Sequence, residues 1–229
     1  SIDANKIDQA LHFYQQTLIQ ARINDNATLE VRCMTSMGML TGRIRPREIL
    51  QISQAAQRIS ASWATPKLRS ILHLRAASAY ADMQDEGSTK EELAKALTEL
   101  DRGDHDNDLN FTKFMNHGEI AGITGLSYIS LGRPAQASGL FREITESPDP
   151  DFQRNTAYYN GHLANSLLEQ GDLDAAAEAG IKTIKLSQNV ASARVEIGLR
   201  KLRRDFGDNG RRSAKVKDFI TEYEEVISA

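Results

Sequence analysis

The chain has 229 residues and a mass of 25.4 kDa, with 40% hydrophobic and 26% charged residues and a formal net charge of −3. That balance excludes general affinity for nucleic acid or anionic membrane, and no apolar run approaches the roughly 20 residues of a membrane span. A single cysteine, Cys33, excludes an internal disulfide framework or a multi-cysteine metal site, and a reducing cytoplasm suits the composition.

In chain order, residues 4–22 place Ile7, Ala10, Leu11, Tyr14, Leu18 and Ala21 on one helical stripe. The four-residue Ala10/Tyr14 spacing reads as the second helix of a pair whose first helix lies upstream. The chain opens at Ser1 rather than methionine, which reads as a domain cut from a longer protein. Asn26 to Leu40 follows as a helix with Leu29, Cys33, Met37 and Leu40 inward, Cys33 serving as a small core residue. Pro46 opens the next helix, where its missing N–H costs nothing. Thr65-Pro66 reads as a hydroxyl cap followed by proline in the first turn of a helix running to Met83. A polar loop, Gln84 to Gly87, then precedes Ser88-Thr-Lys-Glu91, whose spacing predicts a capping box.

Asp101 to Asn110 is a strongly polar connection. Asp104-His-Asp106-Asn-Asp108 resembles the start of a calcium loop but has Leu109 and Met115 where such a loop needs glycine and glutamate, so it reads as an acidic lead-in to a helix. From 118 to 188 a periodic pattern stands out. Gly125, Tyr128, Gly132, Ala137 and Phe141 recur as Ala164, Leu167, Gly171, Ala176 and Gly180, a small residue followed after seven positions by glycine and after twelve by alanine. Self-similarity of this kind marks a repeat protein, and the spacing is that of the tetratricopeptide (TPR) helix–turn–helix. Asp149-Pro150 is expected to open the longer helix before Gly171. Two closing helices, Val190 to Phe206 and Arg211 to Ile227, are separated by the breaker Gly207-Asp-Asn-Gly210.

The expected fold is therefore all-α: a TPR-like α-solenoid of about eleven antiparallel helices forming one repeat domain over 1–229, with 190–229 as its closing part. Such stacks use a concave surface, lined by the first helix of each pair, for binding. On those helices lie Arg32, Ser36 and Met39, then Arg75 and Ser78, then Glu119, Gly122 and Leu126, then Tyr158, Asn165 and Glu169, with Asn155 and His162 nearby. Asn165, a polar amide in an apolar segment, is the leading ligand candidate because an amide donates and accepts at once; the alternative is a bridge between neighbouring helices. Tyr158 offers amphipathic area for a ligand or fills the core. Arg32, Arg75 and Arg194 can clamp a carboxylate or remain solvated. The candidate ligand set is Asn165, Tyr158, Arg32, Ser36, Arg75, Ser78, Glu119, His162 and Arg194.

No catalytic residues, metal ligands or cofactor are predicted. The five histidines show no ligand spacing, and nucleophile-elbow and phosphate-loop signatures are missing. The basic run Arg200-Lys-Leu-Arg-Arg204 with Arg211, Arg212, Lys215 and Lys217 can touch phosphates or an acidic partner, but Asp205 and Asp208 within it favour a solvated helix end.

The segment from Asp104 to Phe206 resembles the carboxyl-terminal TPR domain of bacterial XRE-type helix-turn-helix transcriptional regulators. The resemblance rests on Asp106 with Phe111, Gly118-Glu-Ile-Ala121, Leu131-Gly-Arg-Pro-Ala135, Leu163-Ala with Gly171-Asp-Leu and Ala175-Ala176, and Ser192-Ala-Arg194. It implies an array that receives a peptide or small signal molecule, pairs with a protein partner or a second copy, and reaches DNA only through an amino-terminal helix-turn-helix. No such DNA-binding module is recognisable in these 229 residues. The other reading is a constitutive protein–protein scaffold with neither signal nor DNA.

Overall fold

The computed structural model describes residues 2–41, 45–146, 153–188, 192–207 and 213–228. Among them are eleven α helices and no strand: α1 (Ile2–Ile23), α2 (Ala27–Thr41), α3 (Pro46–Ser60), α4 (Pro66–Asp82), α5 (Glu86–Leu100), α6 (His117–Ser130), α7 (Pro134–Glu146), α8 (Gln153–Glu169), α9 (Leu173–Ser187), α10 (Ala193–Phe206) and α11 (Ala214–Ser228), with a 3-10 turn at Asn110–Thr112. The fold is all-α and solenoid-like, built from helices packed on their sequence neighbours. No helix among the described residues is long and apolar enough to cross a membrane. The chain divides into two compact units, Ser1–Ile123 and Thr124–Ala229, the division falling inside α6.

Four of the described helix junctions share one turn. Asn26 N–H donates to Ala21 O and Asp25 N–H to Arg22 O; the same crossed pair links Asp85 to Tyr80 and Gln84 to Ala81, Arg133 to Tyr128 and Gly132 to Ile129, and Asp172 to Leu167 and Gly171 to Leu168. This is the Schellman arrangement, which needs a left-handed residue just past the helix end. Gly132 and Gly171 supply it at φ +71° and +83°, whereas Asp25 and Gln84 adopt it at +50° and +64° with side chains attached. The next residue then caps the following helix in three of the four turns. Asn26 accepts from Leu29 N–H, Asp85 from Ser88 N–H and Asp172 from Ala175 N–H.

This corrects two readings of the sequence. The expected capping box at Ser88–Glu91 is one turn too late: α5 starts at Glu86 under Asp85, Ser88 donates its hydroxyl to the Asp85 carboxylate, and Glu91 pairs with Lys95 instead. Gly87 lies in the first turn of α5, so the polar loop ends at Asp85. At Thr65-Pro66, proline does open α4, but the Thr65 hydroxyl is buried and makes no cap bond. The expected start at Asp149-Pro150 lies outside the described residues, as do Arg211 and Arg212.

In the first unit α4 is the central helix, buried on most of its circumference through Leu68, Ile71, Leu72, Leu74, Ala76, Ala77, Ala79 and Ala81. Ser53 of α3 donates to Leu72 O at 2.8 Å, and His73 Nδ1 meets Glu92 Oε2 of α5 at 2.7 Å. Val31, Met34, Ala56, Leu68 and Leu72 form one apolar cluster; Ile71, Leu74, Leu93, Leu100, Met115, Ile120 and Ile123 form a second. Cys33 is buried, and burial pushes its thiol pKa up despite the opposing charge of Arg32. Asp104 and Asp108 face Lys67, at 2.7 and 3.7 Å.

In the second unit the predicted small residues sit at close approaches. A Cβ on Gly125 would lie 2.6 Å from the Phe141 ring, and one on Gly180 would lie 2.8 Å from both Leu202 and Phe219. Gly180 stands where the first repeat has Phe141, and Phe219 of α11, tilted against Phe206 at 5.4 Å, fills that space from the other side. Asn160, buried on α8, donates to Ala179 O and to the Thr183 hydroxyl of α9, at 2.7 and 2.8 Å.

Candidate functional site

The nine candidate residues divide between the units. Arg32, Ser36, Arg75, Ser78 and Glu119 lie in the first; Tyr158, His162, Asn165 and Arg194 lie in the second.

In the first unit, Arg32 is exposed on α2 with its guanidinium carbon 5.7 Å from the centre of the Phe111 ring. Arg75 is half-buried, its stem laid against α2 where a Cβ on Gly38 would come within 3.4 Å of it. Ser36, Ser78 and Glu119 are half-buried at their own positions on α2, α4 and α6. A shallow, open cleft of about 520 Å3 lies elsewhere in this unit, lined by Arg45, Pro46, Arg47, Glu48, Asp82 and Met83. Both charge signs share that lining, and no candidate residue contributes to it.

The second unit brings its candidates together. Helices α8 and α10 pack on each other, and Arg194 near the start of α10 places its guanidinium carbon 4.6 Å above the centre of the Tyr158 ring. His162, one turn along α8, stands edge-on to Tyr158 at 4.6 Å and lies 5.7 Å from Phe141. An arginine over a phenol ring gains cation–π attraction, and stacking also fixes the guanidinium plane, leaving its edge N–H groups suited to a carboxylate. Asn165, one turn further along, is 8% exposed. Its amide donates to Gly161 O at 2.8 Å and its oxygen accepts from Lys201 of α10 at 3.2 Å. Asn165 therefore ties α8 to α10. Lys201 also contacts Asp205 at 2.8 Å and Glu169 at 4.0 Å.

Two residues of this face, Ile197 and Gly198, escaped the sequence reading, and a third, Lys201, entered it only as part of the basic run. Lys201 lies seven residues after Arg194, and Ile197 and Gly198 lie between them at helical spacing, on the same side of α10. Ile197 is an exposed apolar side chain, and nothing lies within 4 Å of a Cβ built on Gly198. The signal was available: residues three, four and seven after Arg194 share its face. Three other cations of the basic run are paired within the unit. Arg203 pairs with Glu224 at 3.0 Å, Arg204 with Asp205 at 3.0 Å, and Lys215 with Glu178.

No family model matches the sequence, and no curated protein matches it. Among solved structures, the crystal structure of BtubC (BKLC) from P. vanneervenii is similar, with a TM-score of 0.61 over 97% of this chain and 91% of that chain. Sequence identity across the match is 14%. The likeness is one of fold. Its near-complete coverage extends the all-helical match to the first hundred residues, where the sequence repeat is faint.

Proposed function

We propose that this chain is the ligand-sensing TPR domain of a transcriptional regulator and takes a short peptide or small signal on the α8/α10 face. The observation that supports this best is the Arg194–Tyr158 stack beside His162. It offers an oriented cation, an aromatic wall and, at Ile197, an apolar step, a combination that suits a segment ending in or carrying a carboxylate. In this reading DNA is contacted by a helix-turn-helix module outside these 229 residues, and ligand acts by favouring one arrangement of the helices over another. Titration calorimetry of the chain with candidate signal peptides tests the binding half. Saturable binding that Arg194→Ala weakens about tenfold, with helix content unchanged, is the expected result; equal affinity in the variant removes the site. Promoter-DNA shifts by the full gene product, altered by the same peptide, test the regulatory half.

A second reading, a constitutive protein–protein scaffold, is favoured by Asn165, whose amide is engaged within the fold rather than presented to a ligand. It predicts that small peptides fail to bind while a folded partner binds independently of any signal.

A further inference from the structure

The connection between α5 and α6 reaches from one apolar cluster of the first unit to the other. Its two ends are anchored in the same cluster, through Leu100 and Met115. Its middle packs elsewhere: Leu109 and Phe111 lie against the cluster of Val31, Met34, Ala56, Leu68 and Leu72, and the 3-10 turn at Asn110–Thr112 packs on α4. There Arg32 of α2 lies 5.7 Å from the centre of the Phe111 ring, and Lys67 of α4 meets Asp104 at 2.7 Å and Asp108 at 3.7 Å. Both cations stand on the helix faces that carry candidate ligand residues. At 3.6 residues per turn, Arg32, Ser36 and Met39 share about a quarter of the circumference of α2, and Lys67, Arg75 and Ser78 share about as much of α4. The two helices pack on each other.

We propose that residues 104–112 are a built-in occupant of an α2/α4 recognition face, and that an acidic segment of another protein, carrying an aromatic residue, displaces them. The occupant defines the chemistry of that partner. It sets carboxylates seven and three residues before an aromatic ring, and the face answers with an ammonium for the carboxylates and a guanidinium for the ring. The connection is held as a ligand is held, through its side chains. Among the described residues, the hydrogen bonds of residues 104–112 stay inside the connection apart from those to Lys67. Asp108 N–H donates to His105 O, His105 N–H to the Asp108 carboxylate, Asn107 N–H to the His105 ring and Thr112 N–H to Leu109 O. Lifting the segment therefore breaks no backbone bond to another helix. Closure also carries a penalty: Asp108 Oδ1 is buried with no hydrogen-bond partner, and solvent satisfies it once the segment lifts. Met39, two turns past Arg32 on the same side of α2, is 58% exposed and offers a longer partner an apolar foothold. The inference is independent of the α8/α10 face and stands whether or not that face binds a peptide.

The test uses a fluorescein-labelled synthetic peptide with the sequence of residues 103–114, followed by fluorescence anisotropy as the 229-residue chain or a variant is added. Phe111→Ser removes the ring beneath Arg32. Asp104→Lys, at a side chain 86% exposed, reverses the ionic contact without touching an apolar cluster, and it carries the test by itself should Phe111→Ser unfold the chain. A tethered occupant acts at an effective concentration of about a millimolar. The peptide should therefore bind the unsubstituted chain weakly and each loosened chain at least about tenfold more tightly, with far-ultraviolet dichroism of Asp104→Lys unchanged. Adding Arg32→Ala to Asp104→Lys, or Lys67→Ala to Phe111→Ser, should take that gain away. Equal affinity for the unsubstituted and loosened chains overturns the proposal, because the face is then not occupied from within. A gain that survives both added substitutions overturns it by placing the peptide elsewhere. Absence of binding to every chain overturns it as well, since the connection then sits where it does through its tethered ends and not through recognition.

Discussion

A methyl group at Gly125 meets the Phe141 ring at 2.6 Å, while the same group at Gly139, on the exposed side of α7, meets nothing within 4 Å. Gly125→Ala should therefore destabilise the chain by about 1–3 kcal/mol through forced repacking. Gly139→Ala should stabilise it by about 0.5–1 kcal/mol, because alanine loses less backbone entropy in a helix. Urea unfolding of both variants measures the contrast, and equal effects would mean that the α6–α7 approach is looser than described. The left-handed turn positions give a matched pair. Gly171→Ala forces a side chain into positive φ and should cost about 1 kcal/mol, whereas Gln84→Gly relieves that cost and should be neutral or stabilising. These residues also show what the sequence discloses. The small residue at Gly125 was legible because its partner, Phe141, lies within the same hairpin. The reason for Gly180 was not, because Leu202 and Phe219, which crowd it, lie 22 and 39 residues downstream on two other helices.

At the scale of the element, helix ends were less legible than helix bodies. Ser88 and Glu91 have the spacing of a capping box, but Asp85 sits three residues before Ser88 and offers a carboxylate to the same kind of backbone donor. The earlier cap wins because the Schellman turn at Gln84 delivers Asp85 directly to the cap position. Its carboxyl is held below the ordinary range, first by the Ser88 N–H and then by the Ser88 hydroxyl. Asp85→Ala should lower the melting temperature, and Glu91→Ala should leave it nearly unchanged because Glu91 is exposed and its pair with Lys95 is on the surface. The α4–α5 contact has a pH signature. Burial works to raise the pKa of Glu92, but hydrogen bonds and charges from His73 and Lys95 outweigh it and hold the group below its ordinary 4.5. A carboxyl with a depressed folded pKa stabilises above its unfolded value and loses that contribution as pH falls through the folded one. Stability should thus decline as the solution is acidified below about 4.5, and Glu92→Gln should flatten that part of the curve. Thermal melts from pH 3 to pH 7, roughly the span over which carboxylates titrate, measure this.

At the scale of the whole molecule, the first unit holds two apolar clusters and the second unit one, each drawn from helices near one another in sequence. Such arrays open in parts rather than all at once. Gly180→Val, which drives a branched side chain into Leu202 and Phe219, should accelerate amide exchange through α8 to α11 and leave α4 and α5 protected. Uniform acceleration along the chain would mean that the two units open as one. The periodicity itself was only half visible at this scale. Four turns among the described residues repeat in hydrogen-bond geometry, yet only two of them use glycine, so a reader of residues sees two repeats where the described backbone has four. The candidate site followed the same division. The sequence put Arg194 and Tyr158 in one candidate set without bringing them together; 36 residues separate them, and only their 4.6 Å approach singles them out from the other arginines and tyrosines.

The chain's one thiol, at Cys33, is buried in the first unit, and that burial works against its ionisation. A thiol-reactive dye added to the native chain should wait for that region to breathe before it can react, since the thiolate is the reactive form and the folded chain keeps it both scarce and out of reach. Colour release over time then becomes a stopwatch for opening around α2, carried by the natural chain without any added label.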